Sequence, residues 1–345
     1  MDTDNNGSPA LAGRPIGIFD SGIGGMTVAR EIIRQLPDEC LIYFGDTLRC
    51  PYGPRPLAEI RRYAIEIAIW LAGQGVKLIV IACNSATAAA LESIQRESPV
   101  PVIGVIEPGA RAAVQASIAR RIGVIGTHAT VDSGSYAEAI RKHDAGITVF
   151  SAATPRFVEM VEQGLRLDHN PLEQFMAPVN SIYIRPAFQE IARDYLDPLR
   201  RCGIDTLVLG CTHYPLLQPL ISSIIGPQVR IISSAEETAR DVAEALFRRG
   251  QLAAAHARPM RSGDAVKYRF VTTAIDPSEF MDLASAILGR QVAYPEQISV
   301  RELEQGMRRW ELGQSEARPS VFENTDLIDM AQAAHPDLPP EAQAS

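Results

Sequence analysis

Two cysteines each stand just past an apolar run. Cys83 follows Val76-Lys77-Leu78-Ile79-Val80-Ile81-Ala82, and Cys211 follows Thr206-Leu207-Val208-Leu209-Gly210. A solitary cysteine at a strand end is ordinarily a small hydrophobe. At a helix N-terminus the dipole and the free N–H groups favour the thiolate, which predicts a pKa below the usual value of about 8.5. Asn84 and Ser85 suit the cap of the alanine-rich helix expected after Cys83. Thr212 offers a cap after Cys211, with Pro215 or Pro219 as an early helical residue. Two cysteines so placed, in two similar stretches, are hard to assign to packing. One thiolate and one thiol can take a proton from a carbon acid on one face and return one on the other, which inverts an amino-acid α-carbon. No lysine motif for pyridoxal phosphate is evident, so hydrogen bonds and local charge would have to stabilise the carbanion.

Asp20 and His213 are the natural helpers. Asp20 ends the first apolar run, where a turn or cap aspartate is the ordinary alternative. His213 follows Cys211 by two positions, close enough to serve it as a base or orienter. His128 is a weaker candidate. Gly22-Ile23-Gly24-Gly25-Met26-Thr27 after a strand, with Asp46 ending the next strand, nearly matches a dinucleotide fingerprint with its third glycine replaced by Thr27. An NAD-dependent enzyme is therefore a rival from this stretch alone. The same glycines also suit a backbone nest for a carboxylate.

The elements that must position these residues alternate. Ile16 to Phe19, Leu41 to Phe44, Val76 to Ala82 and Val102 to Val105 read as buried parallel strands. Segments from Thr27 to Leu36 and from Pro56 to Leu71 carry helical periodicity, closed by Pro37 and by Gly73 and Gly75. Ile122-Gly123-Val124-Ile125-Gly126 then echoes Ile16-Gly17-Ile18-Phe19, and the Cys211 stretch echoes the Cys83 stretch. This predicts an α/β protein of two similar doubly wound domains whose parallel sheets face each other across a cleft. Five polar turns fall at carboxyl ends of strands, where such sheets bind ligands: Asp20-Ser21, Asp46 to Gly53, Cys83 to Ser85, Thr127-His128 and Cys211 to His213.

The 345 residues suit two domains. A net charge of −8 argues against a nucleic-acid binder and requires local positive potential for an anionic ligand. The five cysteines include no C-x-x-C pair, which leaves zinc-ribbon and thioredoxin readings unsupported and predicts no metal. The odd count without a signal pattern fits the cytoplasm. No run of about 18 apolar residues predicts a membrane span. Residues 1–14 are expected to be disordered, with order beginning near Arg14. The tail from Pro319 is expected to be mobile apart from a short helix around Thr325 to Ala334.

Several segments resemble glutamate racemases. These are Phe19-Asp20-Ser21-Gly22-Ile23-Gly24-Gly25, Gly45-Asp46-Thr47 with Pro51-Tyr52-Gly53, Ala82-Cys83-Asn84-Ser85, and Gly210-Cys211-Thr212-His213-Tyr214-Pro215-Leu216-Leu217. The likeness spans about residues 15 to 297 and includes Phe270-Val271-Thr272-Thr273. It implies that Cys83 and Cys211 are the two catalytic bases, serving the D- and the L-enantiomer respectively, without a cofactor. It implies that Asp20, Ser21, Tyr52, Gly53, Asn84, Ser85, Thr127, Thr212 and His213 line the substrate site and that Glu162 supports His213. It further implies a discontinuous first domain (15–110 plus 225–300), a second domain (111–224), an extension (301–345) that is partly disordered, a homodimer, and D-glutamate for peptidoglycan synthesis. Ser85 stands where threonine is commoner, Thr154 where the family often has cysteine, and Ser233-Ser234 in place of a usual aspartate. Side-chain length is read by pocket shape, so an aspartate or hydantoin racemase is the near alternative. A DNA gyrase-inhibiting role, carried by the terminal segments, is a more distant one.

Overall fold

The structure is a computed structural model that describes residues 9–167, 185–253 and 267–316. The chain opens with α1 (Pro9–Ala12), β1 (Ile16–Asp20), α2 (Met26–Gln35), β2 (Leu41–Gly45), α3 (Leu57–Gly73), β3 (Leu78–Ile81), α4 (Asn84–Glu97) and β4 (Val102–Gly104). Helix α5 (Ile106–Ala116) leads to a second group of elements. These are β5 (Arg121–Gly126), α6 (His128–Asp132), α7 (Ser135–His143), β6 (Thr148–Ala153), α8 (Arg156–Leu167), α9 (Pro186–Arg201), β7 (Thr206–Gly210), α10 (Gln218–Ile225) and β8 (Arg230–Ser233). Helix α11 (Ser234–Arg248) returns to the first group, completed by β9 (Tyr268–Thr272), α12 (Pro277–Leu288), β10 (Glu296–Gln297) and α13 (Val300–Glu316).

Among the described residues the strands form two parallel sheets, ordered β10-β9-β2-β1-β3-β4 and β6-β5-β7-β8. Each is doubly wound: β1 lies between β2 and β3, and β5 between β6 and β7. The repeat read in the sequence is thus a repeat of topology, with Cys83 after β3 and Cys211 after β7.

Alternation along each strand sorts its side chains between faces. Ile16, Ile18, Leu78 and Val80 join Ile125, Leu207 and Leu209 in one apolar cluster shared by both sheets. Phe19, Ile79 and Ile81 face away from it, under Ile60 and Ile67 of α3. Val124 and Val208 do the same in the second sheet, under Ala110 of α5 and Ile140 of α7. The two connecting helices, α5 and α11, pack against each other and are joined by the Arg111–Asp241 ion pair.

Two expectations about boundaries need revision. Order begins before Arg14: α1 is held because Lys77 Nζ donates to Ala12 O at 2.7 Å while it pairs with buried Glu39 at 2.5 Å. Lys77 also donates to Gln251 O at 2.8 Å, so one buried cation ties three segments together. Residues 225–233 do not return to the first sheet, because β8 pairs with β7 in register Thr206↔Arg230. The stretch beyond residue 300 continues as α13, packed on α3 through buried Leu303. Residues 1–8, the tail from Pro319 and the helix expected around Thr325 lie outside the described residues.

Candidate active site

The strand order reverses at β1/β3 in the first sheet and at β5/β7 in the second. The carboxyl ends of these strands meet across a cleft, as the crevice rule for such sheets requires. Ser21, Tyr52, Gly53, Cys83, Asn84 and Ser85 line it from the first sheet, and Thr127, Thr212, Cys211 and His213 from the second. Both candidate sulfurs therefore open onto one space, from opposite sides of the molecule's repeat. That space is about 30 Å³, enough for a couple of water molecules but too small for a dicarboxylic amino acid. The described state is closed.

Cys83 is the N-cap of α4, and Asn84 and Ser85 lie within the first turn, not at the cap as expected. The chain turns one residue earlier because Cys83 takes the extended conformation that ends the strand. The expected low thiol pKa does not hold either. Burial pushes the Cys83 thiol up, and the nearby Asp20 carboxylate pushes it further, outweighing the Ala86 amide and the Ser21 hydroxyl that favour the thiolate. The sulfur lies 3.9 Å from Ser21 Oγ. Asp20 is fully buried at the end of β1; it accepts the Gly22 N–H at 3.1 Å and faces Thr212 Oγ1 at 3.5 Å. It is a turn aspartate and a charge on Cys83 at once.

Cys211 was expected at a helix start, but a turn and a short 3-10 helix (Tyr214–Leu217), entered at His213, intervene before α10. What it has instead is His213, whose Nδ1 lies 3.9 Å from the sulfur. On the ring's other side Nε2 faces Glu162 Oε1 at 3.3 Å, a charge pair of long reach without good hydrogen-bond alignment. Burial opposes the imidazolium, yet Cys211 and Glu162 outweigh it and push the His213 pKa up to about 10. A cation thus stands beside Cys211 and an anion beside Cys83.

The loop from Asp46 to Gly53 is braced from below. Asp46 accepts Arg49 Nε–H at 2.7 Å, Thr273 Oγ1–H at 2.9 Å and the Tyr52 hydroxyl. Arg49 also pairs with Glu66 of α3 and lies 4.1 Å from the Tyr63 ring centroid. Tyr52 hence spends its hydroxyl on Asp46 and gives the cleft its ring. Across the cleft Ser85 Oγ and Thr127 Oγ1 share a hydrogen bond of 2.9 Å. The Ala129 N–H donates to Gly53 O at 3.0 Å.

The glycine turn has a local explanation. A side chain at Gly24 would collide with Thr212 Oγ1 and the His213 ring, and one at Gly25 with Asp20 and the Tyr43 hydroxyl. Thr27 Oγ1 also donates to Thr212 O at 2.9 Å. The place a pyrophosphate would need is filled by the second cysteine turn, so the dinucleotide reading loses its basis. His128 is exposed on α6 and does not line the cleft. Cys50, Thr130 and Val158 line it without having been singled out; only Cys50, inside the Asp46 to Gly53 turn, had a signal. A larger surface hollow of about 370 Å³ between α9 and α10 holds Arg193, Asp197 and Arg200 but no cysteine. Among the described residues no group of His, Cys, Asp and Glu could hold a metal ion, and no helix is long and apolar enough to cross a membrane.

The family described as Asp/Glu/hydantoin racemase matches residues 16–242. A glutamate racemase of Bacillus cereus is 42% identical over 279 residues, covering 81% of this chain and 94% of that protein. One from Exiguobacterium sibiricum is 49% identical over 233 residues, covering 68% and 80%. The crystal structure of a glutamate racemase from Bacillus anthracis superposes with a TM-score of 0.71 at 41% identity, over 83% of this chain and 98% of that one. The Francisella tularensis glutamate racemase in complex with D-glutamate gives 0.72 at 32% identity, over 85% and 100%.

Proposed function

The chain belongs to the Asp/Glu/hydantoin racemase family, and from that premise we propose that it interconverts L- and D-glutamate with two cysteines and no cofactor. The observation that carries this is the opening of Cys83 and Cys211 onto one cleft from the switch points of two facing sheets. Cys211, as a thiolate beside the His213 imidazolium, takes the α-hydrogen of L-glutamate. Cys83, kept as a thiol by burial and Asp20, donates its own proton to the opposite face. The two sulfurs exchange protonation states, and the reverse reaction starts from the exchanged pair. Ser21, Asn84, Ser85, Thr127 and Thr212 offer hydroxyl and amide donors for the two carboxylates, with Tyr52 and Gly53 shaping the wall. Glutamate enters only after the cleft widens.

Dialysed, chelator-treated protein should erase the optical rotation of L-glutamate and, in D₂O, place deuterium at the product α-carbon. Unchanged rotation would reject the assignment. L-Aspartate run beside it separates the near alternative, and turnover of aspartate alone would transfer the assignment to that substrate.

Removing the imidazolium tests the pairing. The two enantiomers are equal in free energy, so His213→Asn must lower kcat/KM equally in both directions. We expect a loss of roughly 10²-fold. The asymmetry appears in the isotope effect: α-deuteration should slow the L direction more than in the parent protein, because abstraction by Cys211 becomes the harder step. An isotope effect raised only for D-glutamate would place His213 on the wrong thiol. The imidazolium also couples to stability. With a folded pKa near 10 and an ordinary value of 6.5, its contribution is complete below about pH 6.5 and is lost as the pH rises through about 10. The melting-temperature gap between the parent protein and His213→Asn should narrow over that range.

The D-glutamate so formed serves peptidoglycan synthesis, and the site of action is the cytoplasm. We read residues 15–110 with the return after α11 as one unit and the intervening chain as the other. Homodimerisation and gyrase inhibition rest on the resemblance alone; light scattering and a supercoiling assay address them.

A further inference from the structure

Asn84 is 3% exposed and lies on the cleft wall. Its Oδ1 accepts the Tyr136 hydroxyl proton at 2.8 Å, while its Nδ2 has no partner among the described residues. A primary amide can be turned either way round, and its neighbours decide which end faces the ligand. Tyr136 has one proton to give. That proton goes to the Asn84 amide oxygen, which is held back, and the NH₂ is turned toward the cleft. Burial keeps the phenol protonated in this role. The ring has little freedom: a Cβ at Gly210 would stand 3.0 Å from its edge, and one at Gly109 would stand 3.4 Å from its hydroxyl.

We infer that Tyr136 is a positioning residue that, from α7 of the second unit, fixes the Asn84 amide so that its NH₂ receives a carboxylate oxygen of the substrate. The hydrogen bond to Asn84 crosses between the two sheets, so the donor is presented only when they are closed together. This rests on the proposed glutamate site.

Tyr136→Phe keeps the ring and removes the proton. It should raise KM for both enantiomers roughly tenfold while kcat changes by less than about threefold, since the amide serves a carboxylate and not the migrating proton. Asn84→Ala should raise KM at least as much, and the double variant should be no worse than Asn84→Ala alone. A KM within about twofold of the parent in Tyr136→Phe, or a double variant whose effect is the product of the two singles, overturns the inference. If Tyr136→Phe lacks a cooperative melt, Asn84→Asp carries the test, since its second carboxylate oxygen replaces the NH₂ that would receive the ligand. It should raise KM at least roughly tenfold, and an unchanged KM overturns the inference. Calorimetric D-glutamate binding to the same variants separates the outcomes. A parent protein that binds glutamate but does not racemise it sinks the activity and leaves the Tyr136 comparison intact, whereas equal affinities of parent and Tyr136→Phe sink the Tyr136 role alone.

Discussion

Cys211→Ser should lose racemisation of both enantiomers by about 10⁴-fold, the upper range for a positioned acid–base group, yet still exchange the α-hydrogen of D-glutamate with D₂O. The first outcome follows from needing a proton carrier on each face. The second follows from the placement of Cys83, which can still remove a proton from its own face and return a solvent-derived one to it. Cys83→Ser should mirror this and exchange L-glutamate only. Proton NMR of the α-position, combined with chiral chromatography, reads both quantities from one sample. Racemisation near the parent rate in either variant would reject the two-base scheme. Exchange of the opposite enantiomer would keep the scheme but swap the faces.

Asp20→Asn is expected to lower kcat/KM roughly 10²-fold in both directions and to move a titration. Burial first, and then the Asp20 charge, hold the Cys83 thiol above its ordinary pKa. Removing the charge leaves burial in place and lets the thiol lose its proton at lower pH. In the L direction Cys83 must begin protonated, so the alkaline limb of kcat should shift toward acid. A shift toward base, or none, would mean that Asp20 acts only through its hydrogen bonds to Gly22 and Thr212. The asparagine retains a carbonyl oxygen able to accept the Gly22 N–H, so the turn itself should survive.

The strands were legible because a buried parallel strand is a short unbroken apolar run, and β1, β2, β3 and β7 are buried along their whole length. Cys83 and Cys211 were legible for the same reason, since each follows such a run. Their electrostatics were not. The helix start beside Cys83 is a local feature that a sequence displays. Asp20 reaches Cys83 only because β1 and β3 are neighbours in register Phe19↔Ile81, which is settled by tertiary pairing. The same holds for Tyr52, whose hydroxyl is claimed by Asp46, and for Tyr136, 52 residues from its partner Asn84. At Cys211 the proline at 215 was a fair sign of a helical turn, but the turn is 3-10 and starts too late to touch the sulfur.

The pairing of α5 with α11 has a mechanical consequence. The described chain passes between the two groups of strands twice, once through each of these helices, and Arg111 and Asp241 bind the two passages side by side. Two adjacent tethers leave one easy mode of relative motion, a small rotation about the line they define. Displacement then grows with distance from that axis. Widening of the cleft about that line is expected to part the links across it, the Ala129 N–H to Gly53 O bond and the Ser85–Thr127 bond.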